Sequence, residues 1–368
     1  MKTILFEDTD QTKSEILRAL EQNLGNDGTA VAFEPARLDA AQDNEDRTYD
    51  DRLEAILQVE PYADATLIVA DRDLSKSERF RGLSVNSVAA AARRLAIPVC
   101  AYARTFAAED DYAWRGRWEE GLIVLSLDDG EGELARKAVV AARGFEELAN
   151  RLSNADLTLN PSPAKLLAGL LDRPEEASKI ALYAVGDQNR LTELPRESKQ
   201  AGEIPRDSAE WQQWVKKVTH FLGYWLRDSL LRYPGVFANE VASASHLNIK
   251  TEDFRRNDVK ALFATAVYDG PFADPNEPQW WRGALDDIVA SSNSADGLEL
   301  VKKTLGGGIS RSECSVDPQL EAGYYCIISR EPVSLQNSTG NLSWFPRGAD
   351  LTRVSNPKFE EYGPWLGS

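Results

Sequence analysis

Two short apolar runs, Ile4-Leu5-Phe6 and Ile68-Val69-Ala70, each stop abruptly at carboxylates, the first at Glu7-Asp8 and the second at Asp71-Arg72-Asp73. In a parallel sheet both runs deliver those carboxylates to one edge, the C-terminal ends of the strands, where open α/β sheets bind ligands. Glu7, Asp8 and Asp71 are then a candidate set of hard oxygen donors for a divalent cation such as Mg²⁺. The same carboxylates also suit helix N-termini, whose dipole favours negative charge.

The elements that must position them alternate. Thr3–Phe6 reads as a strand. Gln11–Leu24 reads as a helix, with Ile16, Leu17, Leu20 and Leu24 spaced to share one face. Further strands are expected at 29–33, 66–70, 97–102 and 122–127, and helices at 51–58, 84–95 and 132–152. Residues 35–49 are polar and acidic and read as an extended loop. Alternation of this kind implies a parallel sheet covered on both faces, and five units in about 150 residues fit the flavodoxin-like, doubly wound arrangement. The expected organisation is a first domain over 1–152, a connector with short helices over 153–205, and a C-terminal domain over 206–368. Seven of the nine tryptophans lie beyond residue 210, so that last part is expected to be a separate, Trp-rich α+β or mostly helical domain. Its first helix is expected over 208–232, ended by Pro234-Gly235.

Over residues 1–150 the acidic constellation resembles response-regulator receiver domains. Glu7-Asp8 matches the acidic pair after the first strand, Asp71-Arg72-Asp73-Leu74 the phospho-acceptor segment, and Ile97-Pro98-Val99 the entry to the fourth strand. The resemblance implies Asp71 as phospho-acceptor and Mg²⁺ at Glu7, Asp8 and Asp71. Two family features are missing. The Thr or Ser expected at the end of strand four falls on Ala103, with Thr105 two residues too late. The Lys expected at the end of strand five is replaced by Leu125-Ser126-Leu127-Asp128-Asp129, whose acidic pair repels a phosphoryl group. The resemblance is therefore to a degenerate, or pseudo-, receiver, of the kind that serves as a docking module in bacterial signalling and conflict systems. A rival resemblance exists. Gly82-Leu83-Ser84-Val85-Asn86-Ser87-Val88-Ala89 resembles the helix before strand four of nucleoside deoxyribosyltransferase-like domains, but Ser, Val and Ala stand where those domains carry a glutamate nucleophile.

The net charge of −17 argues against phosphate-mediated nucleic-acid binding and against an anionic membrane surface. Glu240-Val241-Ala242 and Leu247-Asn248-Ile249 have a helix-turn-helix flavour, but nine Lys and Arg against eight Asp and Glu over 205–270 do not make a basic face. Gly306-Gly307-Gly308 after Lys302-Lys303 lacks the order of a P-loop. Three scattered cysteines suit reduced thiols, and with neither a leader nor a membrane span in the pattern a cytoplasmic protein is expected.

In the C-terminal part Trp280, Trp281 and Arg282 are candidates for a protein-partner anchor, since Trp and Arg are enriched at binding hot spots. A small-domain core is the competing use of the tryptophans. Arg347, Asp350 and Arg353 are a candidate ion-pair network or polar pocket within the same partner surface. The function expected from all this is a signalling or adaptor protein without catalysis, docking protein partners and open to self-association. A phosphorylatable regulator with an unusual output domain and a nucleotide-processing enzyme are the alternatives.

Overall fold

A computed structural model describes residues 1–40, 48–74, 80, 83–103, 121–155, 162–184 and 204–366. Along the chain come β1 (Lys2–Phe6), α1 (Asp10–Leu24), β2 (Thr29–Ala32), α2 (Ala36–Ala40), α3 (Tyr49–Leu57), β3 (Leu67–Asp71), α4 (Val85–Arg94), β4 (Val99–Ala103), β5 (Ile123–Ser126), α5 (Glu131–Asn154), α6 (Pro163–Leu170), α7 (Ala177–Leu182) and α8 (Ala209–Trp225). By their contacts Met1–Asn160 and Thr192–Asp228 form one compact unit, and Pro161–Leu191 with Ser229–Ser368 another.

In the first unit all five strands are parallel, in the order β2-β1-β3-β4-β5. This α/β sheet is compatible with a flavodoxin-like fold. Two of its helices, α3 and α4, start where a side chain satisfies free N–H groups. Thr48 and Asp51 form a capping box at α3, and Ser84 accepts from the Ser87 N–H at α4. The polar stretch expected as a loop after β2 contains the short helix α2, and residues 41–47 lie outside the described residues.

The strands' two-residue period sorts side chains between the faces. Ile4 and Phe6, Ile68 and Ala70, and Val99 and Ala101 join one core with residues of α3 and α4. There Phe6 stacks on Phe33 with ring centroids 4.2 Å apart. Leu5, Val69, Cys100 and Tyr102 take the opposite parity and are equally buried. α1 packs on α5.

The helix α8, expected with the C-terminal domain, packs against α5 in the first unit. Ser208 caps it, accepting from the Trp211 N–H at 3.1 Å. Its Tyr224 hydroxyl accepts from the Val99 N–H at 2.7 Å. Gly223 permits the close approach, because a Cβ there would overlap the Phe145 ring of α5. Tryptophan content alone does not reveal which core a helix joins; this glycine does. Leu226–Leu230, expected to continue the helix, is instead a π-helical turn.

The second unit combines α6 and α7, packed on each other, with the chain from Ser229 onward. It continues as β6 (Phe237–Asn239), α9 (Glu240–His246), α10 (Thr251–Phe254), α11 (Asn257–Leu262), β7 (Gln279–Trp281), α12 (Arg282–Ser291), α13 (Gly297–Leu305), β8 (Tyr324–Cys326), β9 (Pro332–Val333), β10 (Ser338–Thr339), β11 (Thr352–Ser355) and α14 (Asn356–Leu366). β6 and β7 form an antiparallel pair, and the last four strands a mixed sheet in the order β10-β11-β8-β9. Phe254, Val259, Phe263, Trp280 and Leu285 fill the helical core. Among the described residues no helix is long and apolar enough to cross a membrane.

Gly223→Ala tests the close packing of α8 on α5. Overpacking of this kind costs about 1–3 kcal/mol, so the urea midpoint should fall by that equivalent at unchanged slope. A variant as stable as wild type would mean that α8 does not approach α5 this closely.

Candidate functional site

The strand order reverses direction between β1 and β3, and the crevice outside such a switch point is where open α/β sheets take ligands. β1 ends immediately before Glu7 and β3 ends at Asp71. Asp71 is opposite Tyr102 in the β3–β4 register. Strand parity places Glu7, Asp71 and Tyr102 on the face opposite the Ile4, Ile68 and Val99 core. A pocket of about 410 Å³ opens there, lined by these three residues together with Thr9, Thr12, Asp73 and Leu127.

Glu7 is the buried member, only 4 % exposed, while Asp8 and Asp71 are half-buried. One Glu7 oxygen accepts from the Thr9 N–H at 2.8 Å, and the other from the Tyr102 hydroxyl. Asp71 Oδ1 accepts from the Asp73 N–H at 2.9 Å, and Asp8 Oδ1 from the Thr9 hydroxyl at 3.3 Å. Glu7, Asp8 and Asp71 each offer an oxygen within 4.8 Å of the others. Three hard carboxylate donors around one point fit a hard divalent cation, and its charge would remove the repulsion among them. The three expected ligands are thus brought together.

Burial pushes the Glu7 carboxyl above the usual carboxylate range. The Tyr102 and Thr9 hydrogen bonds oppose that, and the Asp71 charge adds to it. Burial also raises the Tyr102 phenol, which remains a donor, and the neighbouring Glu7 carboxylate reinforces the shift. Tyr102 is the site residue that the sequence reading passed over. Its signal was available: at the end of β4 it has the parity of Asp71 at the end of β3, once the register is known.

Ala103 is the last residue of β4, where receivers carry Thr or Ser, and Thr105 lies outside the described residues. At the end of β5 the Ser126 hydroxyl donates to Asp128 at 2.9 Å, and Leu127 faces the pocket. Neither Lys nor Arg is among the described residues lining it.

The C-terminal candidates do not form one surface cluster. Trp280 is 1 % and Trp281 4 % exposed. Trp280 meets Phe254 edge-on in the core, and Trp281 packs on Phe237. Both therefore serve as core, not as exposed anchors. Asp350 pairs with Arg282, while Arg353 lies over Tyr324 at 4.9 Å and donates to the Ser338 hydroxyl at 2.7 Å. Arg347 is exposed. His246 pairs with Asp286 at 2.6 Å, and all three cysteines are free thiols and buried.

Two measurements follow from this geometry. Glu7 binds its proton more tightly in the native state, so its contribution favours folding at low pH and is lost as pH rises through the native pKa. With a chelator present, Glu7→Gln should therefore be more stable than wild type near neutral pH, and the gap should narrow toward about pH 4. A gap that widens on acidification contradicts the buried carboxyl. Separately, Trp280→Ala should lose about 3–5 kcal/mol in urea unfolding, while Arg347→Ala should stay within about 0.5 kcal/mol. Equal effects would refute their division into core and surface.

No family model, curated protein or solved structure matches this chain.

Proposed function

We propose that the first unit is a receiver-like docking module whose acidic crevice holds Mg²⁺ at Glu7, Asp8 and Asp71, and that it acts by engaging protein partners without phosphoryl switching. One observation carries the reading: the three carboxylates converge at the switch point of the parallel sheet. Ala103 at the end of β4, with neither Lys nor Arg among the described lining residues, supports docking over phosphoryl chemistry. A bound phosphoryl group would meet carboxylates there, with neither Lys nor Arg among the described lining residues to pair with it. The exposed side chains Arg347 and Asp350 suit a partner contact on the second unit.

The room at Asp71 motivates a second reading, in which Asp71 accepts a phosphoryl group. Melting of the wild type and of Asp71→Asn in Mg²⁺, with and without beryllofluoride as a phosphoryl mimic, separates the two. Docking with a bound cation predicts that Mg²⁺ alone raises the wild-type Tm, by the equivalent of about 2.7 kcal/mol at a hundredfold excess over Kd. It also predicts a much smaller rise in Asp71→Asn and nothing further from beryllofluoride. An additional rise with beryllofluoride in the wild type alone would restore Asp71 as a phospho-acceptor. No response to Mg²⁺ would remove the cation from the proposal.

A further inference from the structure

Arg353 in β11 is a partly buried guanidinium that pairs with no Asp or Glu among the described residues. The chain carries 59 acidic residues, and other arginines use them. Arg94 and Arg256 are raised above their ordinary value by hydrogen bonds to Asp51 and Asp258. Arg353 goes the other way. Burial lowers it, and the group opposing that shift is the Tyr324 phenol, not a carboxylate. Taking a cation out of water without a counter-charge is unfavourable. In so acidic a chain, the missing carboxylate marks this position out.

The neighbours hold the group still without neutralising it. In the sheet order β10-β11-β8-β9, β10 is an edge strand, and Arg353 reaches onto it. Its Nε donates to the Ser338 hydroxyl at 2.7 Å, and Nη2 donates to the Ser338 carbonyl at 2.8 Å. The guanidinium carbon lies 4.9 Å from the centre of the Tyr324 ring. These contacts occupy one edge of the fork and fix its position. The other edge, Nη1 with the second N–H of Nη2, is uncommitted. Nη1 makes no hydrogen bond in the protein and is not sealed from solvent. Gly340 stands beside it, where a Cβ would come within 2.5 Å of Nη1. Any larger residue there would crowd the open edge.

We propose that the open edge of Arg353 is a receptor for a carboxylate group, held by two parallel N–H···O bonds from Nη1 and Nη2. A planar guanidinium edge matches a planar carboxylate in this way. One cation among the neutral groups of Ser338, Tyr324 and Gly340 balances one negative charge, and the chain's net charge of −17 opposes a second. A monoanionic carboxylate is therefore favoured over a dianion such as sulfate. The site lies in the second unit and stands whether or not the acidic crevice binds a cation.

Acetate is the probe. It is titrated into the full-length chain in exchange for chloride at constant ionic strength, and NMR follows the Arg353 Nε–H and the Gly340 amide. Saturable shifts of both are expected, with sulfate binding more weakly than acetate. Arg353→Lys keeps the charge and loses the fork; it should weaken acetate about tenfold, the worth of one charge-assisted hydrogen bond. Gly340→Ala keeps the guanidinium and crowds only its open edge. It should weaken acetate in the same direction, and it keeps the test decisive if Arg353→Lys folds poorly. A capped tripeptide with a central aspartate separates two sources of the carboxylate. Tighter binding than acetate supports the proposal with a protein chain as source, and equal binding supports it with a small free acid. Shifts that stay linear in acetate would leave Arg353 as a mere guard of the sheet edge and overturn the proposal. So would tighter binding of sulfate, or acetate affinity unchanged in both variants.

Discussion

The register of β1, β3 and β4 is the constraint on which the candidate chemistry rests. Parallel pairing sets Phe6 opposite Ala70 and Asp71 opposite Tyr102. A shift of one residue would carry every side chain of a strand to the other face. The apolar neighbours exclude that slip: Ile4, Ile68 and Val99 are bound into one core and Leu5, Val69 and Cys100 lie on the other side, all fully or almost fully buried. The hydrophobic pattern that builds the sheet therefore also aims the carboxylates. Asp71 is held by its own strand, and Glu7 follows the last residue of β1 directly.

The price of that placement is electrostatic. A carboxylate that is only 4 % exposed beside two others is tolerable because its two oxygens take a backbone N–H and a phenol. Both donors are neutral, so the surplus negative charge remains. Receivers balance such charge from the ends of strands four and five, and here those ends read Ala103 and Ser126-Leu127-Asp128. Among its described lining residues the crevice gathers carboxylates and neither Lys nor Arg.

Much of the first unit was legible in the sequence because its signals are local. Runs such as Leu67–Asp71 are apolar, short and cut off by charge, and Ser84 before Val85 marks a helix start. The acidic trio was legible for the same reason: each member lies at or just past a strand end. What escaped the reading depends on contacts distant in sequence. Tyr102 looks like one more strand aromatic until the register sets it beside Asp71. Trp280 and Trp281 look like an anchor until Phe254 and Phe237 are found packed on them. The companion of α8 could not be read from its tryptophans, because an apolar helix face carries no record of the surface that it covers.

The Tyr224 hydroxyl, beyond holding α8, stands in for a missing piece of sheet. Pairing of β5 with β4 begins at Cys100, a register that gives the Val99 carbonyl the Ile123 N–H but leaves the Val99 N–H without a strand neighbour on that side. The hydroxyl serves both, accepting from the N–H and donating to the carbonyl at 3.4 Å. A residue 125 positions downstream thus completes the backbone bonding of the fourth strand. Between the two in sequence, α6 and α7 belong to the other unit. The parallel sheet is consequently not a portable cassette. A gene fragment ending near codon 152 would encode every strand and still leave a strand end unsealed, so recombination could move this α/β fold intact only by carrying part of its neighbour with it.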